Sequence, residues 1–273
     1  MTEILTSASN PKIKKLLALQ QKSAERRESG LFVLEGLREL QHCLSAGYQA
    51  DSLFVCPEIL DARGEDARLL LGSVPERRVF GVTRELYSRI ACRGGTEGVV
   101  AEVRSKDHSL SALKLPGNPL VLVVESVEKP GNIGAMLRSC DAAGADAMLV
   151  CGEGSTDLYN PNLIRASVGA VFTVPCAVCS TGEAIAFLKE HGLRILTAQL
   201  QDSSLYYDCD MRAGTAVVMG TEATGLSDTW RRAADAHIRI PMLGRLDSLN
   251  VSVSAAILLF EAVRQRQESK RSK

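Results

Sequence analysis

Apolar and polar positions alternate along this chain in two blocks of different character. Over residues 1–106, LFVLE (31–35) and SLFVC (52–56) read as strands, and GLRELQHCLSAG between them reads as a helix ended by Gly47. RRVFGV and EGVVAEV read as further strands, so this block is a small α/β domain. Residues 107–118, DHSLSALKLPGN, break the pattern with polar residues, Pro and Gly, and read as a linker. Over 119–273 the alternation restarts with near-continuous apolar runs: LVLVVES, AMLVC, AVFTVPC, LRILTA, TAVVMG and AHIRIP. Such runs predict strands buried on both faces, the signature of a parallel sheet. The helical patterns between them are NIGAMLRSCDAAG, NPNLIRASVG, TGEAIAFLKEHG and SDTWRRAAD. NVSVSAAILLFEAVRQRQ closes the block and is apolar nearly all round, which predicts a helix that is buried or forms a subunit interface. The tail ESKRSK is expected to fray.

Length and composition narrow the picture. The 273 residues, 45% of them hydrophobic, suffice for two domains with real cores. With 32 basic against 32 acidic residues, the chain does not announce nucleic acid, although a local basic patch is compatible with zero net charge. The N-terminal MTEILTSASNPKIKK has no apolar core and reads as no signal peptide, and no apolar run approaches the roughly 20 residues of a membrane helix. A cytoplasmic protein is expected. The eight cysteines are scattered, and CAVC (176–179) lies in an apolar run without partner ligands, so buried free thiols are expected and no metal site.

Three loops carry candidate chemistry. In VLVVESVEKPGNIGAMLR a strand meets a helix at Pro-Gly-Asn. Asn132 can cap that helix, and Arg138 can lie back toward it over the small Gly134 and Ala135. A guanidinium beside a helix N-terminus suits phosphate or a developing oxyanion. In VVMGTEATGLSD a buried strand ends at Gly220. Glu222 and Gly225 follow at the strand's carboxyl end, where α/β proteins place ligands. In IRIPMLGRLDSLNVSVSAAILL the strand ends at Pro241, and Ser248 and Asn250 introduce the last helix as caps and as polar groups at a strand end. A nicotinamide-type oxidoreductase is disfavoured, because no G-x-G-x-x-G follows VLVVES.

Together, PGNIGAMLR, MGTEATGLS and IPMLGRLDSLNVSVSAAILLFE resemble the motifs of the SpoU (TrmH-like) family of RNA 2′-O-ribose methyltransferases, within the SPOUT superfamily. DLYNPNLIRASVGAVFTVPC resembles the family's middle segment, and SASNPKIKKLLAL with FVLEG resembles the ribosomal-protein-like α/β domain with which many members hold RNA. Ala223 stands where the family often has Gly, and Thr221 where it often has Asn or Ser.

The resemblance implies an α/β fold with a trefoil-knotted parallel sheet at residues 119–273, a substrate-binding domain at 1–106, and a homodimer joined through the knot and the last helix. It implies S-adenosyl-L-methionine bound in the knot, with Gly220, Ile240 and Leu249 touching it and Thr221, Glu222, Gly225, Pro241 and Met242 nearby. It implies attack of a ribose 2′-hydroxyl on the sulfonium methyl. Family accounts cast the arginine at position 138 as a general base, but a guanidinium hardly deprotonates, so Arg138 is expected to clamp phosphate and the incipient alkoxide electrostatically. Asn132, Ser248 and Asn250 would orient Arg138 and the ribose, and Glu222 would hold its loop or balance the sulfonium. Lys12, Lys14, Lys15, Arg26 and Arg27 are candidate RNA phosphate contacts. The expected substrate is 23S-type ribosomal RNA. The alternatives are transfer RNA and a catalytically silent RNA-binding or assembly factor.

Overall fold

The computed structural model describes residues 3–60, 71–72, 74–91, 97–152, 156–221 and 224–271. The chain divides into two compact units, Met1–Lys106 with Asp157–Arg165, and Asp107–Thr156 with Ala166–Lys273. A short piece of the second sequence block therefore belongs to the first unit.

The first unit contains β1 (Ile4–Leu5), α1 (Pro11–Gln21), α2 (Ser23–Ser29), β2 (Leu31–Glu35), α3 (Leu37–Ser45), β3 (Ala50–Val55), α4 (Pro57–Leu60), β4 (Val79–Val82), α5 (Arg84–Ile90) and β5 (Val99–Arg104). Its strands order β1-β4-β3-β5-β2, with β5 antiparallel to both neighbours. Asn10 caps α1 by accepting from Lys12 N–H at 2.9 Å, and Pro11 occupies the first helical position. Ile13, Leu16 and Leu19, spaced by three, turn one face of α1 into the core.

The returning segment 157–165 is built into this unit. The Tyr159 ring stacks on Phe32 with centroids 4.1 Å apart, and its hydroxyl accepts from Lys106 N–H at 2.9 Å. Arg26 is 5% exposed. Its Nε donates to Asp157 Oδ2 at 2.8 Å, and its Nη1 donates to the carbonyl oxygens of Leu19 and Gln20. Arg26 is thus a buried structural clamp and not the RNA contact expected above. Removing one partner of a buried pair leaves the other uncompensated, so Arg26→Ala is expected to cost roughly 3–5 kcal/mol in chemical denaturation. Lys14→Ala, at an exposed position, is expected to stay within about 0.5 kcal/mol.

The second unit contains β6 (Leu120–Glu125), α6 (Pro130–Ala143), β7 (Ala147–Cys151), α7 (Pro161–Ser167, which begins in the first unit), α8 (Ala170–Thr173), β8 (Cys176–Cys179), α9 (Thr181–Glu190), β9 (Arg194–Ala198), β10 (Ser204–Leu205), β11 (Thr215–Met219), α10 (Asp228–Ala233), β12 (Ala236–Arg239) and α11 (Val251–Arg271). The strands form one parallel sheet in the order β10-β12-β9-β11-β6-β7-β8. Every residue of β6, β7 and β11 is buried, which is why their apolar runs do not alternate.

Three details differ from the sequence reading. AVFTVPC is not one strand. Gly169, at φ 89°, starts the short helix α8, and β8 begins only after Pro175. An apolar run of that length does not distinguish a helical turn from a strand. Residues 107–118 are not a bare linker. Val178 N–H donates to the His108 carbonyl at 2.9 Å, and Leu110, Leu113 and Leu115 pack against the core of the sheet. Finally, α11 continues to Arg271, with Arg264 and Glu268 paired at 2.7 Å across one turn.

CAVC forms β8, and its thiols are free. Burial pushes Cys176 and Cys151 up to about 12 and Cys179 to about 11, so they stay protonated and poorly nucleophilic near neutral pH. Among the described residues no cluster of His, Cys, Asp or Glu is arranged to hold a metal ion. No helix among them is long and apolar enough to cross a membrane.

Candidate functional site

Strands β6, β7 and β8 step toward one edge of the sheet. The chain then returns to place β9, β11 and β12 on the other side of β6. Ligands of doubly wound sheets bind at the carboxyl ends of the strands near such a reversal. There, the ends of β9, β11 and β12 and the start of α11 enclose a cavity. Its walls are mostly apolar, with Leu200, Met219, Ile238, Ile240, Met242 and Leu249. Gln199, Arg239, Asp247, Ser248 and Ser254 supply polar groups. A flat heterocycle carrying a charged, hydroxylated portion fits such a lining. Gln199 Oε1 is also a buried acceptor with no hydrogen-bond partner among the described residues.

Of the residues expected to hold the cofactor, Ile240, Met242 and Leu249 line this cavity. Pro241 sits between two wall residues without lining the cavity. Sequence reasoning missed Ala198, Gln199, Leu200 and Met219. Their one signal was position, since each lies at or just beyond the carboxyl end of a buried strand.

The second loop folds on itself. Thr221 and Gly225 exchange two backbone hydrogen bonds of 3.1 Å, Thr221 Oγ1 accepts from Thr224 N–H at 2.9 Å, and Gly225 takes φ 68°. Glu222 and Ala223 lie outside the described residues. A Cβ at Gly220 would lie 2.6 Å from Leu226 N and closer still to the backbone carbonyl of Gly225. The glycine at 220 is thus demanded by the loop's own return. Thr221 and Gly225 line a neighbouring cleft with Glu125, Ser126, Thr181 and Ser227, not the cavity of Ile240 and Leu249.

Glu125 is the residue sequence reasoning passed over. It closes β6 and is 6% exposed. Its Oε2 accepts from Ser227 N–H at 2.7 Å, and its Oε1 accepts from Ser227 Oγ at 2.8 Å and Thr181 Oγ1 at 2.9 Å. One buried carboxylate thus pins the exit of the Gly220–Gly225 loop to the start of α9. A glutamine there offers one oxygen for these three donors. Hydrogen bonds to charged groups are worth roughly 1.5–3 kcal/mol, so Glu125→Gln is expected to weaken S-adenosylmethionine binding ~10-fold or more by calorimetry. Unchanged affinity in a folded variant would show that the loop holds without this anchor.

The first and third loops meet. Asn250 Oδ1 accepts from Ser252 N–H at 2.9 Å and caps α11, while its Nδ2 donates to Asn132 Oδ1 at 3.2 Å. Asn132 is not a cap. Helix α6 already starts at Pro130, and Asn132 stands in its first turn. Ser248 is no cap either, as its Oγ donates to Asp247 Oδ1 at 3.3 Å. Arg138 is exposed two turns into α6 and makes no hydrogen bond or ion pair among the described residues. The structure brings Asn132 and Asn250 together and leaves Arg138 available to a ligand.

Among the basic candidates, Lys12 pairs with Glu3 at 2.7 Å and lies 4.5 Å from the Phe80 ring centre. Lys15 pairs with the buried carboxylate of Glu102 at 2.8 Å, so it is committed to the fold. Lys14 and Arg27 are exposed.

Comparison with known proteins supplies an independent line. Residues 119–260 match the SpoU rRNA Methylase family, and residues 10–101 match the MRM3-like substrate binding domain. The chain is 33% identical over 234 residues to a Burkholderia protein named 23S rRNA (guanosine-2′-O-)-methyltransferase RlmB, covering 82% of this chain and 94% of that one. It is 29% identical to the Streptomyces viridochromogenes 23S rRNA (uridine(2479)-2′-O)-methyltransferase, covering 94% and 91%. The crystal structure of an AdoMet-bound rRNA methyltransferase from Sinorhizobium meliloti superposes with a TM-score of 0.87 at 29% identity, covering 96% of this chain and 98% of that one.

Proposed function

The chain belongs to the SpoU rRNA methylase family, and on that premise we propose that it methylates a ribose 2′-hydroxyl of 23S-type ribosomal RNA from S-adenosylmethionine. The observation that carries the reading is the meeting of Asn132 with Asn250, 3.2 Å apart from opposite ends of the domain and next in the chain to cavity residue Leu249.

Bound S-adenosylmethionine supplies a methyl group made electrophilic by its sulfonium. The protein's task is to bring a weakly nucleophilic hydroxyl in line and to stabilise the charge it develops. The cavity walls exclude water and hold the cofactor. Arg138 lies on the helix that also carries Asn132, and its permanent charge suits the flanking phosphate and the incipient alkoxide. The proton leaves to water or phosphate. Asn132 and Asn250 hold each other and orient the ribose, and Ser248 contributes from the cavity wall.

The first unit is proposed to grip RNA, with Lys14 of α1 and Arg27 of α2 as exposed basic side chains. The threading of a knot by the segment after β12 belongs to the same proposal, as does a homodimer through α11. On that helix Val253 and Phe260, seven residues apart, are about half exposed, 47% and 48%. The relatives named for ribosomal RNA favour it over transfer RNA.

The test is transfer of labelled methyl from S-adenosylmethionine to ribosomal RNA isolated from cells lacking the protein, followed by mapping of the 2′-O-methylated nucleotide. Methylation of transfer RNA alone would move the substrate. Cofactor binding and RNA binding without transfer would favour the silent assembly factor.

A further inference from the structure

We infer that Ser252 is a positioning residue for methyl transfer, because its hydroxyl closes the acceptor side of Asn250 and leaves that amide to meet the RNA as a donor only. The inference rests on the methyl-transfer reading above. Ser252 is the second residue of α11, and Asn250 immediately precedes that helix. A backbone N–H can only donate, so the amide atom 2.9 Å from Ser252 N is the Asn250 oxygen. Ser252 Oγ stands 2.6 Å from the same oxygen and donates to it as well. A carbonyl oxygen has two lone pairs, and both are then taken. The other end of the amide, Nδ2, is turned to Asn132 and donates to its Oδ1 at 3.2 Å. Hydrogen-bond polarity thus passes from Ser252 through Asn250 to Asn132. Asn250 is exposed, so a ligand can reach it.

The direction matters for a hydroxyl nucleophile. An amide oxygen with a vacant lone pair accepts a hydrogen bond from the 2′-hydroxyl but is too weak a base to remove the proton. With that lone pair occupied, Asn250 offers the ribose only N–H. An N–H held on the 2′-oxygen stabilises the charge that develops there. The hydroxyl proton is then left to pass to phosphate or water, as the oxygen takes the methyl group and the sulfur keeps the bonding pair. The Ser252 hydroxyl is not what starts the helix. Without it, Ser252 N–H still donates to Asn250 Oδ1, and the Asn250 carbonyl still accepts from Val253 and Ser254 N–H, each at 3.0 Å.

The test compares the full chain with Ser252→Ala, Ser252→Thr and Asn250→Asp. Four quantities are measured: kcat, KM for ribosomal RNA from cells lacking the protein, calorimetric S-adenosylmethionine affinity, and Tm. Ser252→Ala is expected to lower kcat ~10-fold, the order of one hydrogen bond, with KM and cofactor affinity unchanged. Its Tm is expected to stay within about 3 °C, because the cap survives. Ser252→Thr keeps the hydroxyl and is expected to restore kcat. Asn250→Asp keeps the cap and the Ser252 bonds but turns an oxygen toward Asn132 Oδ1, and is expected to lower kcat at least ~10²-fold without loss of Tm. Wild-type kcat in a folded Ser252→Ala overturns the inference, as does wild-type kcat in Asn250→Asp. A fall in kcat accompanied by equal losses in cofactor affinity and Tm, and not restored by Thr, marks a purely structural serine and also overturns it. Each of these outcomes leaves the methyl-transfer reading standing. If the wild-type chain transfers methyl to no RNA, that reading falls and the inference falls with it.

Discussion

Arg138→Ala is expected to reduce methyl transfer roughly 10²–10³-fold, the usual cost of removing a group that stabilises an oxyanion. Arg138 is exposed, has no partner among the described residues and sits within a helix. Alanine is the best helix former, so the fold should not suffer. Stability is therefore expected to remain within about 0.5 kcal/mol. Arg138 does not line the cavity proposed for the cofactor, so S-adenosylmethionine affinity should stay within severalfold. The combination to measure is single-turnover transfer, calorimetric cofactor binding and thermal unfolding on one preparation. A fall in kcat without a change in cofactor affinity marks an interaction made in the transition state. Near wild-type turnover would remove Arg138 from the chemistry altogether.

Gly220→Val is expected to abolish measurable S-adenosylmethionine binding, and Gly220→Ala is expected to come close to it. The steric conflict lies in the Cβ itself, 2.6 Å from Leu226 N and nearer to the Gly225 carbonyl, so even the smallest side chain forces the loop open. Opening it breaks the paired hydrogen bonds between Thr221 and Gly225 and pulls on Ser227, which Glu125 holds. Gly220 also follows Met219, a cavity wall, so the distortion passes directly into the cavity proposed for the cofactor. The first unit owns its sheet and core, so the RNA binding proposed for that unit should persist. Full cofactor affinity in a folded Gly220→Ala variant would show that the loop opens without consequence for the cavity. The sequence reading reserved Gly220 for close approach of a ligand. Its necessity instead comes from the backbone five and six residues on.

Much of the second unit was legible because burial on both faces leaves no choice of residue. VLVV in β6, MLV in β7 and AVV in β11 have no solvent face, so their composition alone declares a parallel sheet. Motif order likewise located the three loops, since each begins where such a run stops. The first unit was legible down to α3, whose Leu40 and Cys43 turn inward at helical spacing.

What the tertiary structure alone decided concerns partners rather than elements. Nothing local in Arg26 distinguishes it from Arg27. One is buried against Asp157 and the other is exposed, because a segment 131 residues away folds back into the first unit. Lys15 and Lys14 differ for the same reason, through Glu102 on β5. In the sequence Glu125 is only the last residue of a strand, and its role comes from Ser227 and Thr181, which donate to its two oxygens. Thr221 and Gly225 were grouped with the cavity by their motif, yet they line the adjoining cleft. Periodicity records which face of an element is buried, because burial acts on each residue where it stands. Which distant group lies against that face depends on how segments far apart in the chain are brought together, and no local pattern of apolar and polar positions encodes it.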